Sequence, residues 1–268
     1  MIAFADQETI TSERIQELQK TVSATRLNSW QRCRLQFFFR YVLQIKKPPT
    51  PALHVGKVVH AVLQAWNLAR WRKESLDQEK FKDIFTNEWQ EQQKDIQINW
   101  EDQEAEQRTA WTLVDLFLKD PPIPINETPE AVEVQVEADL SRKGLPKLIG
   151  IIDLVRAGRR IVDFKTSGQT PDREKAAHQN ETQLTSYSVL YKECTGYNET
   201  GLELHHLVKL KNPKLVVTTL PPATEGQKSK LFRIMESYQR GLEHQDFIPS
   251  PGLHCFGSEF FNECRRWS

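Results

Sequence analysis

Two acidic residues and a lysine stand in unusually apolar surroundings near the middle of the chain. In the stretch GIIDLVRAGRRIVDFKTSG, residues 150–168, Asp153 follows two isoleucines, and Asp163 follows an isoleucine and a valine, with Lys165 two places on. Residues i and i+2 of a strand project from the same face, so Asp163 and Lys165 are predicted to share a face. An ionised carboxylate in an apolar strand is costly unless it is paired or binds a metal.

The chemistry available to these three side chains is phosphodiester hydrolysis. If the turn around Gly158 closes a hairpin, Asp153 and Asp163 lie on neighbouring strands and point into one site. Paired carboxylates suit a hard divalent cation such as Mg²⁺ or Mn²⁺, which polarises a phosphoryl oxygen and helps to deprotonate water. Lys165 would orient that water or stabilise the developing charge. The alternative is an ordinary salt-bridged hairpin.

The periodicity of apolar residues predicts the elements that must position these side chains. Helices are predicted at 27–45, 54–72, 76–98 and 101–119, before a proline-rich break at 120–129. Strands are predicted at 131–140, 149–157, 160–166, 202–210 and 214–220, and helices at 176–193 and 224–244. This order predicts an α+β fold, in which helices flank a central mixed β-sheet and a C-terminal tail packs back on an N-terminal helical region.

Charge and composition constrain the partners. The 268-residue chain carries 36 basic and 36 acidic residues, so its neutral total allows a nucleic-acid partner only through a local basic surface. Residues 26–47 hold six basic residues and no acidic one, with aromatics interleaved. Such a segment suits phosphate tracking and base stacking, and the alternative is an amphipathic helix whose aromatics lie in the core. The residues predicted to bind DNA are Arg26, Arg32, Arg34 and Arg40.

No targeting or membrane signal is visible in the sequence. No window approaches 18 consecutive apolar residues, and the first residues lack a basic region followed by an apolar one. We therefore expect a cytoplasmic protein that does not associate with membranes and whose four cysteines are reduced.

The stretch 150–168 resembles the catalytic core of the PD-(D/E)XK nuclease superfamily. More narrowly, it resembles the RecB-like nuclease domains and the related CRISPR-adaptation exonucleases. GKVVH at 56–60 is similar to the G-x-x-x-H motif of these proteins, and QLTSY at 183–187 is similar to their Q-x-x-x-Y motif. Glu133 stands where the first core strand often carries an acid. The resemblance spans residues 27–267.

The resemblance implies a restriction-endonuclease-like α/β core and assigns roles within it. The implied metal ligands are His60, Asp153, Asp163 and the backbone carbonyl of Phe164, with Glu133 as a further acid. The implied catalytic residues are Asp153, Asp163, Lys165, Gln183 and Tyr187, the last two positioning the lysine or the DNA. Taken alone, His60 would more often be a core histidine, and Gln183 and Tyr187 surface residues. We expect His205 and His206 to have no metal role, because neighbours on a strand face opposite sides.

The implied organisation places three regions within one compact domain. Residues 1–125 form the N-terminal helical region that contributes His60, residues 126–244 form the nuclease core, and residues 245–268 form a cysteine-containing tail.

The cysteines leave an iron–sulfur cluster open. In many relatives four cysteines hold a [4Fe–4S] cluster, and Cys33, Cys255 and Cys264 stand at three of the four places, with Ser258 at the other. Three alternatives remain: a vestigial clasp held by packing, a cluster with an unusual ligand, or a substituted cysteine. We expect no stable cluster.

The function predicted from these observations is a metal-dependent DNA nuclease. The expected activity is that of an exonuclease on single-stranded or end-containing DNA, in DNA repair, recombination or CRISPR adaptation. One alternative is a non-catalytic DNA-binding subunit, although inactivated relatives typically lose the acid or the lysine. Another is a nuclease that acts only with a helicase or integrase partner. The chain contains no G-x-x-x-x-G-K-[ST] motif, so ATP-driven unwinding would come from such a partner.

Overall fold

A mixed β-sheet with helices on both faces makes up the described part of the chain. The structure is a computed structural model that describes residues 4–75, 77–94 and 96–267. The structure does not describe residues 1–3, 76, 95 and 268. Positions 76 and 95 fall within the helix predicted at 76–98, and that part of the prediction lies outside the described residues. The predicted α+β fold with a central mixed sheet is confirmed.

The sheet is organised around its third strand. The strands are β1 (Thr21–Ser23), β2 (Ala131–Ala138), β3 (Lys147–Arg156), β4 (Arg160–Ser167), β5 (Gly201–Val208) and β6 (Lys214–Leu220). Strand β2 pairs antiparallel along one edge of β3, whose other edge pairs with β1 at its start and with β4 at its end. Strand β5 then pairs parallel to β4 and antiparallel to β6. The strands predicted at 131–140, 149–157 and 160–166 are therefore present as β2, β3 and β4, and β1 is an additional strand that the sequence pattern did not predict.

The helices form two layers, one on each face of the sheet. They are α1 (Phe4–Lys20), α2 (Ala24–Arg32), α3 (Arg34–Phe37), α4 (Pro51–Arg72), α5 (Gln78–Glu91), α6 (Gln103–Lys119), α7 (Arg173–Gln179), α8 (Glu181–Thr195), α9 (Glu225–Glu243) and α10 (Phe261–Arg266). Helices α4, α5 and α6 pack together on one face, and α1, α2, α8 and α9 pack on the other. None of the helices in the described ranges is long and apolar enough to cross a membrane.

Helix α4 shows how local sequence sets an element that the site depends on. The Thr50 side chain caps the helix by accepting a hydrogen bond from the Leu53 N–H at 3.2 Å, and Pro51 occupies the first turn. One stripe of the helix is fully buried, and its residues recur at helical spacing: Val55, Val58, Val59, Val62, Leu63 and Trp66. The helix therefore has a fixed rotation against the sheet.

The predicted helix over 27–45 is interrupted at Cys33. Cys33 has an extended backbone, and the Leu35 N–H donates to the Ile248 carbonyl of the tail at 3.1 Å instead of to the preceding helical turn. The chain continues as α3 and then as a π-helical turn, Phe38–Val42. The predicted single helix was wrong here because a hydrogen bond to the distant tail replaces the helical hydrogen bond of Leu35.

The C-terminal tail packs back on this N-terminal segment, as predicted. Phe38 contacts Trp267 with ring centroids 5.1 Å apart, and Phe39 contacts the buried Phe260 at 5.8 Å. Lys47 pairs with Glu263 at 2.6 Å. The interleaved aromatics of 26–47 are thus mainly core residues that hold the tail.

Helices α7 and α8 form the crossover between the parallel strands β4 and β5. The sequence pattern predicted one helix at 176–193, whereas the structure has two that meet at Asn180. The Asp172 side chain caps α7 by accepting from the Lys175 N–H at 3.0 Å. Because α8 begins afresh after the break, its first turn approaches the sheet beside β4.

The packing of α2 against α9 depends on a glycine. A Cβ atom built at Gly241 would overlap the indole ring of Trp30, which is only 2% exposed. We predict that Gly241→Ala lowers the free energy of unfolding by about 1–3 kcal/mol, because a rigid ring must shift in a packed core. This loss should outweigh the higher helix propensity of alanine, about 1 kcal/mol. Urea denaturation followed by circular dichroism measures it.

A matched control lies on the same helix. At Gly226 a Cβ atom would meet only the Thr224 Oγ1 at 3.8 Å, an ordinary contact. Gly226→Ala should leave stability unchanged or raise it by up to about 1 kcal/mol. Equal stabilities of the two variants would show that the contact between Trp30 and Gly241 is not tight.

Candidate functional site

The centre of the candidate site is the point where β3 and β4 stop pairing. The two strands pair from Arg156↔Arg160 to Leu154↔Val162, and pairing ends before Asp153 and Asp163. The Phe164 N–H, which faces the resulting gap, donates to the Asp153 Oδ2 at 2.9 Å. A side-chain carboxylate therefore takes the place of a strand partner, and this fixes Asp153 next to Asp163.

A hydrogen-bonded cluster joins β4 to α8. The Lys165 Nζ lies 2.8 Å from the Asp163 Oδ2 and donates to the Gln183 Oε1 at 2.8 Å. The Gln183 Nε2 donates to the Asp163 Oδ1 at 2.9 Å and to the Tyr187 hydroxyl at 2.8 Å. The amide of Gln183 thus holds both the carboxylate and the ammonium. Gln183 and Tyr187 reach the cluster together because residues at i and i+4 share a helix face.

Helix α4 brings His60 to the same place from the opposite layer. The His60 Nδ1 lies 3.7 Å from the Asp153 Oδ2. One turn earlier, a Cβ atom at Gly56 would stand 3.2 Å from the Thr166 Oγ1 on β4. The missing side chain at Gly56 therefore lets α4 approach β4 closely enough for His60 to reach Asp153. The structure brings His60 together with the residues of the D-x-K strand.

Glu133 lies on β2 opposite Asp153 and has an unusual backbone. Its φ is +47°, in the left-handed region that a non-glycine residue rarely adopts, while Val132 and Val134 on either side pair normally with β3. Glu133 and His60 line one open cavity of about 570 Å³. Strained conformations of this kind concentrate at functional sites, which supports Glu133 as the further acid.

Burial in the site disfavours the charged forms of its acidic side chains and of Tyr187. Burial raises the pKa of Asp163 to about 6, against the lowering effect of Lys165. Burial also raises the pKa of Asp153 and of Glu133, and the nearby His60 acts in the opposite direction in both cases. The pKa of Tyr187 is raised by burial and by the neighbouring carboxylates, so its hydroxyl stays protonated.

The donor set fits a divalent cation. The Asp163 Oδ2 is buried, and it lies 2.8 Å from the Lys165 ammonium. This oxygen lies beside a second carboxylate and an imidazole, a mixture of ligands that Mg²⁺ and Mn²⁺ accept. Among the described residues, no three His, Cys, Asp or Glu side chains converge into a finished metal site. A cation would have to replace the ammonium of Lys165 at this oxygen.

Two successive histidines on β5 have different surroundings, and one of them borders the cluster. His205 pairs with Glu203 at 2.8 Å on one side of the sheet, and its ring lies 5.6 Å from that of Phe164. His206 lies beside Lys165 in the parallel pairing of β4 with β5, and it is buried. Its pKa is lowered first by burial and second by the positive charge of Lys165. Only the pairing of β4 with β5 reveals that His206 borders the lysine.

The arginines predicted to bind DNA are largely engaged within the protein. Arg26 donates to the Thr21 carbonyl at 2.9 Å, Arg34 pairs with Asp246, and Arg40 pairs with Glu259. Arg32 is exposed.

The cysteines of the proposed clasp are neighbours at the junction of tail and N-terminal segment. Cys33 is buried, Cys255 half-buried and Cys264 exposed. The pKa of the Cys264 thiol is raised by burial and by the two other thiols. The Ser258 Oγ accepts from the Phe260 N–H at 3.3 Å, a local contact within the tail. The expectation that these residues hold no stable iron–sulfur cluster stays a prediction.

Helices on both faces of a mixed sheet, with a central hairpin that carries Asp153 and Asp-x-Lys, make up a restriction-endonuclease-like fold. The profile of the PD-(D/E)XK nuclease superfamily matches residues 21–265, and the chain belongs to this superfamily. It is therefore a nuclease by family, and members of this superfamily generally use divalent metal ions. The predicted resemblance to the superfamily is confirmed.

The chain is similar to two solved structures, and the first of them supports the fold. A crystal structure of a candidate exonuclease from Eubacterium rectale is similar with a TM-score of 0.58 and 11% identity, covering 93% of this chain and 90% of that one. The crystal structure of the protein SSO0001 has a TM-score of 0.43 and 12% identity, with 95% and 94% covered. No curated protein sequence matches the chain.

Metal binding should depend on pH through Asp163. Because the pKa of this carboxyl is about 6, it is increasingly protonated as the pH falls below that value, and a cation must then displace a proton. We predict that the Kd for Mn²⁺, measured by isothermal titration calorimetry between pH 5 and 8, is nearly constant above pH 7. Below pH 6 it should rise by about tenfold per pH unit.

The control for this measurement is Asp139→Asn, which changes an exposed carboxyl whose pKa is lowered, chiefly by its hydrogen bonds to Ser141. This variant should keep the wild-type profile, whereas Asp163→Asn should lose it together with most of the affinity. A Kd that does not change between pH 5 and 8 would contradict the assignment of Asp163.

Gln183 should act through the groups that it holds. We predict that Gln183→Ala lowers the rate of DNA cleavage by about 10–100-fold, the usual cost of removing an outer partner of a metal site. Tyr187→Phe, which removes only the hydroxyl contact, should have a smaller effect. Gln179→Ala, at an exposed position of α7, is the matched control. Equal rates for the Gln183 and Gln179 variants would exclude this positioning role.

Proposed function

We propose that the protein is a divalent-metal-dependent deoxyribonuclease, and that it acts as an exonuclease on single-stranded DNA or on DNA ends. The observation that carries this proposal is the cluster of Asp153, Asp163 and Lys165 at the end of strand pairing, held by Gln183. Inactivated relatives would be expected to lack the acid or the lysine, and both are present here. The resemblance to RecB-like domains suggests a role in DNA repair, recombination or CRISPR adaptation.

The proposed metal ligands come from three elements. Asp153 on β3, Asp163 and the Phe164 carbonyl on β4, and His60 on α4 would hold the cation, with Glu133 on β2 near enough to complete its surroundings. When bound, the cation would polarise a phosphoryl oxygen and make a water molecule more acidic. Asp163 is buried and the Asp153 side chain is only 13% exposed, which would limit the access of bulk solvent to them.

Lys165 would work on the phosphate itself. Its ammonium, once released from Asp163, would stabilise the negative charge that develops on the phosphate oxygens as water attacks phosphorus and the leaving oxygen departs. The Gln183 Oε1 keeps the Nζ atom directed into the site, and the buried Tyr187 hydroxyl fixes the Gln183 amide. The side chain of Lys165 is 27% exposed, which leaves it room to turn from Asp163 towards a substrate.

The direct test is cleavage of labelled oligonucleotides by the purified protein. With Mg²⁺ or Mn²⁺, we expect degradation of linear single-stranded DNA from an end, while circular single-stranded DNA resists. Asp163→Ala and Lys165→Ala should each lower the rate by about 10²–10³-fold, as expected for groups that stabilise charge in the transition state. Lys211→Ala, at an exposed position between β5 and β6, should cleave as wild type does.

The outcomes separate the alternatives. If neither metal supports cleavage of any DNA by the wild-type protein, the proposal of a self-sufficient enzyme fails. Activity that appears only when a helicase or integrase partner is added would indicate a partner-dependent nuclease. Full cleavage by the Lys165 variant would show that the site is placed wrongly. Cutting of circular DNA would replace the exonuclease assignment with an endonuclease one.

A further inference from the structure

An open cavity lies outside the catalytic cluster. It has a volume of about 840 Å³ and is open to solvent between α2, α9 and the segment that leads into the tail. Its lining includes three cations, Arg34, Lys230 and Arg233, and none of the lining residues is acidic. We call this cavity the basic groove.

The cations of the basic groove are arranged by two helices. Lys230 and Arg233 lie three residues apart on α9 and therefore share one helix face, with Gly226 one turn earlier leaving that face open. Across the groove, the Arg34 guanidinium lies 4.9 Å from the centroid of the buried Trp30 ring. Trp30 thus forms the floor, and the positive charges stand along both walls.

The groove adjoins the catalytic cluster through the first turn of α8. The Glu181 Oε1 lies 2.7 Å from the Lys230 Nζ, and the Thr182 hydroxyl donates to the Gln31 Oε1 at 3.3 Å, on the groove side. Gln183, the next residue, contacts Lys165 and Asp163. One helical turn therefore separates the two places.

Helix α2 runs along both features. Its beginning, with Ser23, Ala24 and Thr25, lines the cavity that contains Asp153 and Gln183. Trp30 and Gln31, near its end, line the basic groove. A ligand that passes along α2 from the catalytic cluster would enter the groove after about 9 Å, the rise of six helical residues.

The ion pairs now present would not prevent a phosphate from binding. Lys230 pairs with Glu181 at the surface, and Arg34 pairs with Asp246. The Lys230 pair is solvent-exposed, and such pairs contribute about 0–1 kcal/mol, so it exchanges readily for other anions. Arginine binds phosphate through two parallel hydrogen bonds, which favours a backbone phosphate over a single surface carboxylate.

We propose that the basic groove holds the phosphate backbone of single-stranded DNA next to the nucleotide at the catalytic cluster. This inference rests on the proposed nuclease function and adds a path for the substrate strand. The cavity of about 840 Å³ carries its three cations on two facing walls, an arrangement that suits the flexible backbone of a single strand. Arg34, Lys230 and Arg233 would be positioning residues for the strand.

The test is equilibrium binding of fluorescently labelled oligothymidylates of 4 and 16 nucleotides and of a blunt 16-base-pair duplex. Anisotropy is measured in EDTA, so that no cleavage occurs. Lys230→Ala/Arg233→Ala removes two exposed cations without disturbing the core. We expect this variant to bind the 16-mer at least about tenfold more weakly and the 4-mer less than twofold more weakly. For the 16-mer, the slope of the logarithm of the binding constant against the logarithm of the salt concentration should fall in magnitude by about 1.4, or about 0.7 for each lost phosphate contact.

The matched control removes the same charge far from the groove. Lys82→Ala/Lys94→Ala changes two exposed lysines in and after α5, in the other helical layer, and should bind both oligonucleotides as wild type does. The proposal is overturned if the groove variant binds the 16-mer as tightly as wild type. It is also overturned if the control variant weakens binding equally, or if the duplex loses as much affinity as the single strand.

Failure of the groove and failure of the nuclease proposal are distinguishable. If the wild-type protein cleaves DNA but the groove variant binds the 16-mer as tightly as wild type does, only the groove proposal is rejected. If the wild-type protein binds the 16-mer through Lys230 and Arg233 but cleaves no DNA with Mg²⁺ or Mn²⁺, only the proposed nuclease activity is rejected. The absence of both binding and cleavage would reject both proposals.

Discussion

The hydrogen bond from the Phe164 N–H to the Asp153 carboxylate is the contact on which the rest of the site depends. A buried backbone N–H needs a partner, and here β3 has already separated from β4. The carboxylate fills the vacant place in the ladder and is thereby held to the backbone of the D-x-K strand. Apolar neighbours, including the fully buried Ile152, Leu154 and Val162, keep both strands from shifting. The position of Asp153 next to Asp163 thus follows from the need of a buried backbone N–H for a hydrogen-bond partner.

Holding carboxylates in this position costs free energy. Burial disfavours the charged forms of Asp153, Asp163 and Glu133, and it raises the pKa of each. The ammonium of Lys165 offsets part of the cost at Asp163, and the Gln183 amide satisfies the remaining oxygen. A divalent cation would offset more, because it can contact both aspartates at once. The same burial that destabilises the free protein therefore favours cation binding.

Two helices from distant parts of the chain complete the arrangement, one from each layer. Helix α4 delivers His60 because its buried valine stripe fixes its rotation and Gly56 allows a close approach to β4. Helix α8 delivers Gln183 and Tyr187 because the break at Asn180 lets it start beside β4. The layer that contains α8 is held by the packing of Trp30 against Gly241, and the aromatic contacts of the tail secure α3 and the π-helical turn. Stability of the layers and geometry of the site are accordingly linked.

The sequence alone determined the element types and the family, because these are written in local patterns. Apolar periodicity predicted the central strands and α4 to within a few residues, and the Asp153, Asp163 and Lys165 spacing pointed to hydrolytic chemistry. The resemblance of their motifs to those of the family implied that His60, Gln183 and Tyr187 accompany them; their contacts agree, while their catalytic roles stay proposals. Only the tertiary structure decided the interruption at Cys33, since the Ile248 carbonyl that receives the Leu35 N–H lies more than 200 residues away. It also decided that His206 borders Lys165, and that Lys230 and Arg233 share a groove with Arg34. Such facts depend on strand register and helix packing between distant segments, which no local pattern of residues records.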